Sequence, residues 1–229
     1  MRVLTWNLFH GRAVPPAGRE LKAEFAAALA AWEWDVALLQ EVPPWWPPAL
    51  ARASGADQRS ALTARNALLP LRRMGAERRP DLIKSHGGGA NAILVRGAAG
   101  AIGAHRCAVL RRRPERRVCH AVRLADGTWV ANLHAQVHSE ARAQADIDRA
   151  AAAVLGWAGS GAAIALGGDF NVRAPVADGF EALGGHGVDH VLGRNLRALG
   201  PPAVPERGAL SDHAAVIVWV AAQSGTTSG

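Results

Sequence analysis

The apolar run Ala162-Ala163-Ile164-Ala165-Leu166 stops abruptly at Gly167-Gly168-Asp169-Phe170-Asn171, and the same plan stands earlier, where Val36-Ala37-Leu38-Leu39 ends in Gln40-Glu41. Short runs that are apolar at every position mark strands buried on both faces, as in the parallel part of an α/β sheet. Each run closes a strand–helix–strand unit. Residues 2 to 6 read as a strand ending at Asn7, and Leu21, Phe25, Leu29 and Trp32 recur at helical intervals within Glu20 to Trp34. Later, Thr128 to Ala131 leads into Asn132-Leu133-His134, and Ser139 is the expected N-cap of an alanine-rich helix that reaches Trp157. Asn7 to Glu41 spans 34 positions and Asn132 to Asp169 spans 37, so the units are either duplicated or alike by chance. If two such sheets pack face to face, Asn7, Glu41, His134 and Asp169 meet at one edge, beyond the strand ends where α/β folds bind ligands. The plainer reading of Gly-Gly-Asp-Phe-Asn is a turn, because Gly, Asp and Asn are ordinary turn formers.

The remaining segments are less regular. Gly87-Gly88-Gly89 precedes a buried-strand pattern at Ala90 to Val95, and Val118 to Leu124 pairs with Thr128 to Ala131 as a hairpin across Ala125-Asp126-Gly127. The stretch Pro43-Pro44-Trp45-Trp46-Pro47-Pro48 is expected to be neither helix nor central strand. Its two tryptophans either cover a sheet edge or stack on bases. Residues 52 to 86 show no clear period. Val188 to Leu192 and Ala214 to Val220 read as strands, the second introduced by Ser211-Asp212-His213. With 229 residues and 49% hydrophobic content the expectation is one domain over residues 1–222 and a frayed polar tail over 223–229. No uncharged apolar run approaches the roughly 18 residues of a membrane span. Two cysteines, Cys107 and Cys119, are too few for a disulfide framework, so reduced thiols in a cytoplasmic protein are expected; a monomer is the expected state.

The net charge of +7 is unevenly spread. Between Arg52 and Arg123 stand 16 basic residues against 4 acids, whereas the rest of the chain has 10 against 15. The densest run includes Arg111, Arg112 and Arg113, which are candidates for phosphate contacts because guanidinium forks pair with phosphate oxygens. Codon composition is the competing explanation, since only two of the 26 basic residues are lysines.

The polar strand ends comprise Asn7, Glu41, His134, Asp169, Asn171, Asp189, Asp212 and His213. Carboxylate and amide oxygens suit Mg²⁺ or Mn²⁺, ions that keep waters and meet substrates through phosphate oxygens. Phosphate-ester hydrolysis is the matching reaction: it needs a base for water, a cation and donors around the phosphoryl group.

Seven motifs in order, Thr5-Trp6-Asn7, Leu39-Gln40-Glu41, Asn91-Ala92-Ile93-Leu94, Asn132-Leu133-His134, Gly168-Asp169-Phe170-Asn171, Val188-Asp189-His190 and Ser211-Asp212-His213, extend over nearly the whole chain. In these the sequence resembles the endonuclease/exonuclease/phosphatase superfamily, which includes deoxyribonuclease I-like and exonuclease III-like enzymes. The resemblance implies an α/β fold, a four-layer α-β-β-α sandwich of two mixed β-sheets packed face to face and flanked by helices. It implies a metal site of Asn7, Glu41 and Asp212, with Mg²⁺ or Mn²⁺ as cofactor. Asp169 would activate water, Asn171 hold a phosphate oxygen, His134 donate to the phosphate or leaving oxygen, and His213, oriented by Asp189, contact the scissile phosphate. Asn91, Asn132 and the three arginines are candidate substrate contacts, and nucleic acid, DNA first, is the expected substrate; the alternatives are hydrolysis of a small phosphate ester or lipid head group and, behind both, a non-catalytic nucleic-acid-binding protein. Two departures stand out. The chain has no tyrosine, and His190 follows the orienting acid where the family often has one. The glutamate that pairs with the equivalent of His134 in the deoxyribonuclease I branch has Glu77 as its only nearby candidate.

Overall fold

A computed structural model describes residues 1–63, 69–78, 81, 89–159 and 161–223. The expected tail from Ser224 onward lies outside the described residues, as do Gly87 and Gly88. In chain order the elements are β1 (Arg2–Asn7), α1 (Lys22–Ala31), β2 (Val36–Val42), α2 (Pro47–Ser54), β3 (Ala56–Leu62), α3 (Leu69–Arg78), β4 (Ala90–Arg96), β5 (Ile102–Arg111), β6 (Arg117–Leu124), β7 (Trp129–His134), α4 (Glu140–Ala158), β8 (Ile164–Asp169), β9 (Glu181–His186), β10 (Asp189–Arg194), β11 (Leu196–Ala198) and β12 (Val216–Ala222). The strands form two six-stranded sheets, ordered β11-β12-β1-β2-β4-β3 and β5-β6-β7-β8-β10-β9.

Both sheets share one local plan. The parallel pair β1/β2 is flanked by antiparallel β12 and β4, and the parallel pair β7/β8 by antiparallel β6 and β10. Register then does what the sequence spacing anticipates, setting Asn7 opposite Gln40 and His134 opposite Asp169. Alternation along each strand sorts side chains between layers. Val3, Val36, Leu38, Ile93, Val122, Val130, Ala165, Val191 and Val218 fill the space between the sheets. Leu4, Trp6, Ala37 and Leu39 face Phe25, Leu29 and Leu50 of α1 and α2, and Leu133, Ile164 and Leu166 face Ile147, Ala150 and Val154 of α4. Burial on both faces is why these strands read as unbroken apolar runs. The result is the expected α-β-β-α sandwich.

Some elements differ from expectation. Helix α1 is shorter than Glu20 to Trp34, since Trp32 is already extended at its C-cap and the Trp34 indole turns back to donate to Leu29 O (2.8 Å). Helix α2 begins inside the proline-rich stretch, with prolines in its first turn, where the missing N–H costs nothing. Trp46 is buried there against Phe25 (ring centroids 5.6 Å apart), so it covers the helix layer. Ser139 does cap α4, its side chain accepting from Arg142 N at 3.3 Å. No helix among the described residues is long and apolar enough to cross a membrane.

Two local devices position the strand ends. Register between β2 and β4 shifts between Leu39 and Val42, and Glu41 adopts a left-handed φ of 50°, a bulge that re-aims its side chain. At the end of β8, Gly168 (φ 149°) lies so close to β7 that a Cβ would sit 1.8 Å from Leu133 O. The glycines before Asp169 are therefore a close-approach requirement between strands rather than only a turn.

Candidate active site

Beyond the C-terminal ends of β1, β2, β7 and β8 lies a cleft of about 320 Å³ lined by Asn7, Phe9, His10, Arg12, Glu41, Glu115, His134, Val137, Asp169, Asn171, Asp212 and His213. Seven of the eight polar strand-end candidates named from the sequence line it, and the eighth, Asp189, lies behind it, bonded to His213. Asp169 is the hub. Its Oδ2 accepts from Asn7 Nδ2 (2.9 Å) and lies 3.5 Å from His134 Nε2 and 3.8 Å from His213 Nε2, while Oδ1 accepts from Asn171 N (3.0 Å). Asn171, at φ 51°, also donates to Ala135 O (3.1 Å). Asn7 is buried and engaged at both ends, because its Oδ1 accepts from Phe9 N at 2.9 Å.

The loop carrying Ser211, Asp212 and His213 is sewn to the end of β1. Ser211 Oγ donates to Asn7 O (2.7 Å) and accepts from His213 N (3.0 Å), and the Trp6 indole donates to His213 O (3.2 Å). His213 Nδ1 lies 2.8 Å from Asp189 Oδ2. Burial alone would lower the His213 pKa, but the Asp189 bond and charge, joined by Asp169 and Asp212, outweigh it and raise the value to about 9. His213 is thus an imidazolium at neutral pH. Burial pushes Asp189 upward and His213 pulls it back, leaving the carboxyl raised. Asp169 is raised to about 6, by burial and then by Asp189, against the pull of His213 and its hydrogen bonds. The ring after the orienting acid, His190, stacks on Phe170 at 6.1 Å and takes no place in the cleft lining.

Glu41 lies 3.1 Å from His10 Nε2 and 3.8 Å from His134 Nε2. Burial holds His10 below the ordinary imidazole value despite Glu41, and it holds His134 well below, so both rings are neutral. No positively charged side chain of the described residues pairs with Glu41 or Asp212. Glu41 and Asp212, two cleft carboxylates that no cationic side chain of the described residues pairs with, beside an Asp169 carboxyl whose pKa has risen, fit a divalent ion with hard oxygen ligands. Asp169, Asp189 and His213 also bring ligand atoms within 4.8 Å of one another, but there the closest pair is already joined as a hydrogen-bonded dyad.

Other candidates lie elsewhere. Asn132 is fully buried between the sheets, donating to Leu39 O and Ala92 O (2.9 Å each) and accepting from Gln40 Nε2 (2.9 Å). Asn91 is likewise fully buried and donates to Val118 O (3.3 Å). Arg111 is turned away toward α4, where its Nε donates to the fully buried Asp146 (3.0 Å). Arg112 and Arg113 are exposed in the turn after β5, close in sequence to the cleft residue Glu115. Glu77 pairs with Arg73 on α3 at 2.7 Å, and His134 faces Glu41 and Asp169 instead. Sequence reasoning takes His10 as a surface or structural histidine and passes over Arg12, yet both line the cleft. Their closeness to Asn7 was the one available signal, since their placement depends on a left-handed turn at Phe9 and His10.

The comparisons agree with this geometry. No curated protein matches the chain significantly in sequence. Among solved structures, an endonuclease/exonuclease/phosphatase from Beutenbergia cavernae is 18% identical with a TM-score of 0.71, covering 97% of this chain and 71% of its own. A mannosyl-6-phosphatase from Bacteroides thetaiotaomicron is 15% identical at TM-score 0.66, covering 96% and 99%. Truncated TDP2 from Caenorhabditis elegans is 14% identical at TM-score 0.64, covering 95% and 96%. The profile of the endonuclease/exonuclease/phosphatase family matches residues 4–213. This chain belongs to the endonuclease/exonuclease/phosphatase family, a family of metal-dependent phosphoric-ester hydrolases.

Proposed function

We propose that the protein is a nuclease that hydrolyses phosphodiester bonds in DNA, with Mg²⁺ or Mn²⁺ held by Glu41 and supported by Asn7 and Asp212. The observation that carries this reading is the convergence of Glu41, His134, Asp169, Asn171, Asp212 and His213 on one cleft. The bound ion would supply charge neutralisation at the phosphoryl oxygens. The remaining work falls to the chain. Asp169, its pKa near 6, is mostly ionised at neutral pH yet basic enough to take a proton from an attacking water. Asn7 holds one of its oxygens and the Asn171 amide the other, so its orientation is set before substrate arrives. The His213 imidazolium offers Nε2–H to a phosphoryl oxygen while Asp189 fixes Nδ1, and His134 and the Asn171 side chain stand beside the same group.

The DNA assignment is supported by the net charge of +7 and by exposed Arg112 and Arg113 in the turn that leads to Glu115. A second reading, hydrolysis of a small phosphate ester, is favoured by the likeness to the mannosyl-6-phosphatase, which this chain matches over 99% of its length. The test is hydrolysis of plasmid DNA, an abasic duplex, bis(p-nitrophenyl) phosphate and a sugar phosphate by wild type and Glu41→Ala, with and without EDTA. Cleavage of DNA that EDTA and Glu41→Ala both abolish is the expected result. Turnover of the sugar phosphate alone would favour the second reading, and EDTA-resistant turnover would refute the metal assignment.

A further inference from the structure

We propose that Arg12 forms a subsite for a second phosphate, next to the one that reacts; the inference rests on the phosphodiesterase reading above. Arg12 is the one arginine among the described residues lining the cleft, and it shares that lining with four carboxylates, Glu41, Glu115, Asp169 and Asp212. In such company a guanidinium is expected to be taken up in an ion pair. Arg12 is in none among the described residues. Its side chain is instead held by its own turn: Nε donates to Phe9 O at 3.1 Å, and Cζ stands 3.9 Å over the centre of the Phe9 ring. That leaves Nη1 and Nη2, two parallel donors of a planar fork, without an acceptor among the described residues.

The turn is fixed independently of the guanidinium. Phe9 N donates to Asn7 Oδ1 (2.9 Å), Arg12 N to Phe9 O (3.2 Å), and Ser211 N to Arg12 O (2.8 Å). Phe9 and His10 adopt left-handed φ values of 49° and 54°, and Gly11 at 77° lies under the Trp46 indole, where a Cβ would come within 2.2 Å of the ring. Non-glycine residues in this region are costly, and such strain collects at ligand clamps whose surroundings over-determine it. An arginine stacked and pinned in advance loses little freedom on binding, and its free fork matches two oxygens of a phosphate.

The place of the subsite follows from its neighbours. His134, Asn171 and His213 gather around Asp169 and serve the reacting group. Arg12 makes no hydrogen bond or ion pair with any of them and stands at the end of the turn that carries His10, on the Phe9 and His10 side of the cleft lining. The ligand class is thus a substrate with phosphates in series, such as a polynucleotide or a nucleoside bisphosphate, in preference to an isolated phosphate.

The test compares thymidine 5′-monophosphate and thymidine 3′,5′-bisphosphate as competitive inhibitors of bis(p-nitrophenyl) phosphate hydrolysis by wild type, Arg12→Ala and Arg12→Lys. Loss of one charge-assisted bidentate contact corresponds to about tenfold or more. Wild type should therefore prefer the bisphosphate by at least about that factor, with the preference abolished in Arg12→Ala and only partly kept in Arg12→Lys, which lacks the fork. An unaltered preference in both variants overturns the proposal, and so does an equal weakening of both inhibitors, which would put Arg12 on the reacting phosphate. Should Arg12→Ala unfold, Arg12→Lys decides alone by the same comparison. Wild type that hydrolyses the small diester but not an oligonucleotide would sink the nuclease reading, while the inhibitor pair still decides the subsite.

Discussion

Removing the negative charge from Asp189 without changing its shape, by Asp189→Asn, tests the electrostatics of the cleft. In the wild type the dyad raises His213 from 6.5 to about 9. The Asn variant keeps the burial, which lowers an imidazole pKa, and loses the strongest group that offsets it, leaving only Asp169 and Asp212, so His213 should fall back toward its ordinary value. At pH 8 a group with pKa near 9 is about 90% protonated and one at 6.5 about 3%, a fall of roughly 30-fold in the imidazolium on offer to a phosphate. Because the histidine pKa is raised by folding, its contribution to stability is complete below about pH 6.5 and is lost as pH climbs through about 9. A shift of this size corresponds to at most about 3.5 kcal/mol, at about 1.4 kcal/mol per pKa unit. The assay is a proton NMR titration of the His213 ring in EDTA, assigned with His213→Gln, alongside urea unfolding at pH 6, 8 and 10. A His213 midpoint in Asp189→Asn that stays close to the wild-type value would refute the reasoning, as would wild-type stability that does not decline between pH 8 and 10.

Asp169→Asn keeps one of the two acceptors, for Asn7 or for the Asn171 N–H, turns the other into a donor and supplies no base, so kcat for the diester should fall by about 10² to 10⁴ in a protein that still folds with a modestly lowered melting temperature; a fall under tenfold would remove Asp169 from that role. Gly168→Ala forces a Cβ into Leu133 O and should lower the melting temperature sharply or prevent folding, whereas a soluble variant with wild-type melting would show that β7 and β8 can separate at no cost. Arg111→Ala strips the buried Asp146 of its closest partner, leaving Arg149 at 3.2 Å, and should cost about 2 to 4 kcal/mol of stability in chemical denaturation with DNA affinity little changed. Arg112→Ala with Arg113→Ala should do the reverse, leaving stability intact and lowering the salt slope of DNA binding by about 1 to 2. Equal effects of the two changes on affinity would erase the distinction between the structural arginine and the exposed ones.

The central strands were legible because both of their faces are buried: Val36 to Leu39 and Ala162 to Leu166 could hardly be read otherwise, and each is followed by the residue that matters. Strands at the edges were not. Residues 56–62 alternate weakly with exposed polar positions, and residues 181–186 contain two glycines, so neither carries a hydrophobic signal. The start of α2 was hidden by Pro47 and Pro48, which disfavour a helix everywhere except in the first turn that they occupy. Asp169, His213 and their partners were readable from residue type at strand ends. The differing fates of Arg111 and Arg12 were not, because one depends on a buried aspartate 35 positions away and the other on a left-handed turn that packs Gly11 beneath Trp46. Residue identity marks which groups can do chemistry, while backbone handedness and burial decide which of them face the same space.

The most direct measurement is anomalous diffraction from crystals of wild type and Glu41→Ala soaked in Mn²⁺. The expected result is a manganese peak in the cleft within about 2.0 to 2.3 Å of a Glu41 carboxylate oxygen, lost in the variant. A peak that persists without Glu41, or manganese bound only outside the cleft formed by Asp169, Asp212 and His213, would contradict it.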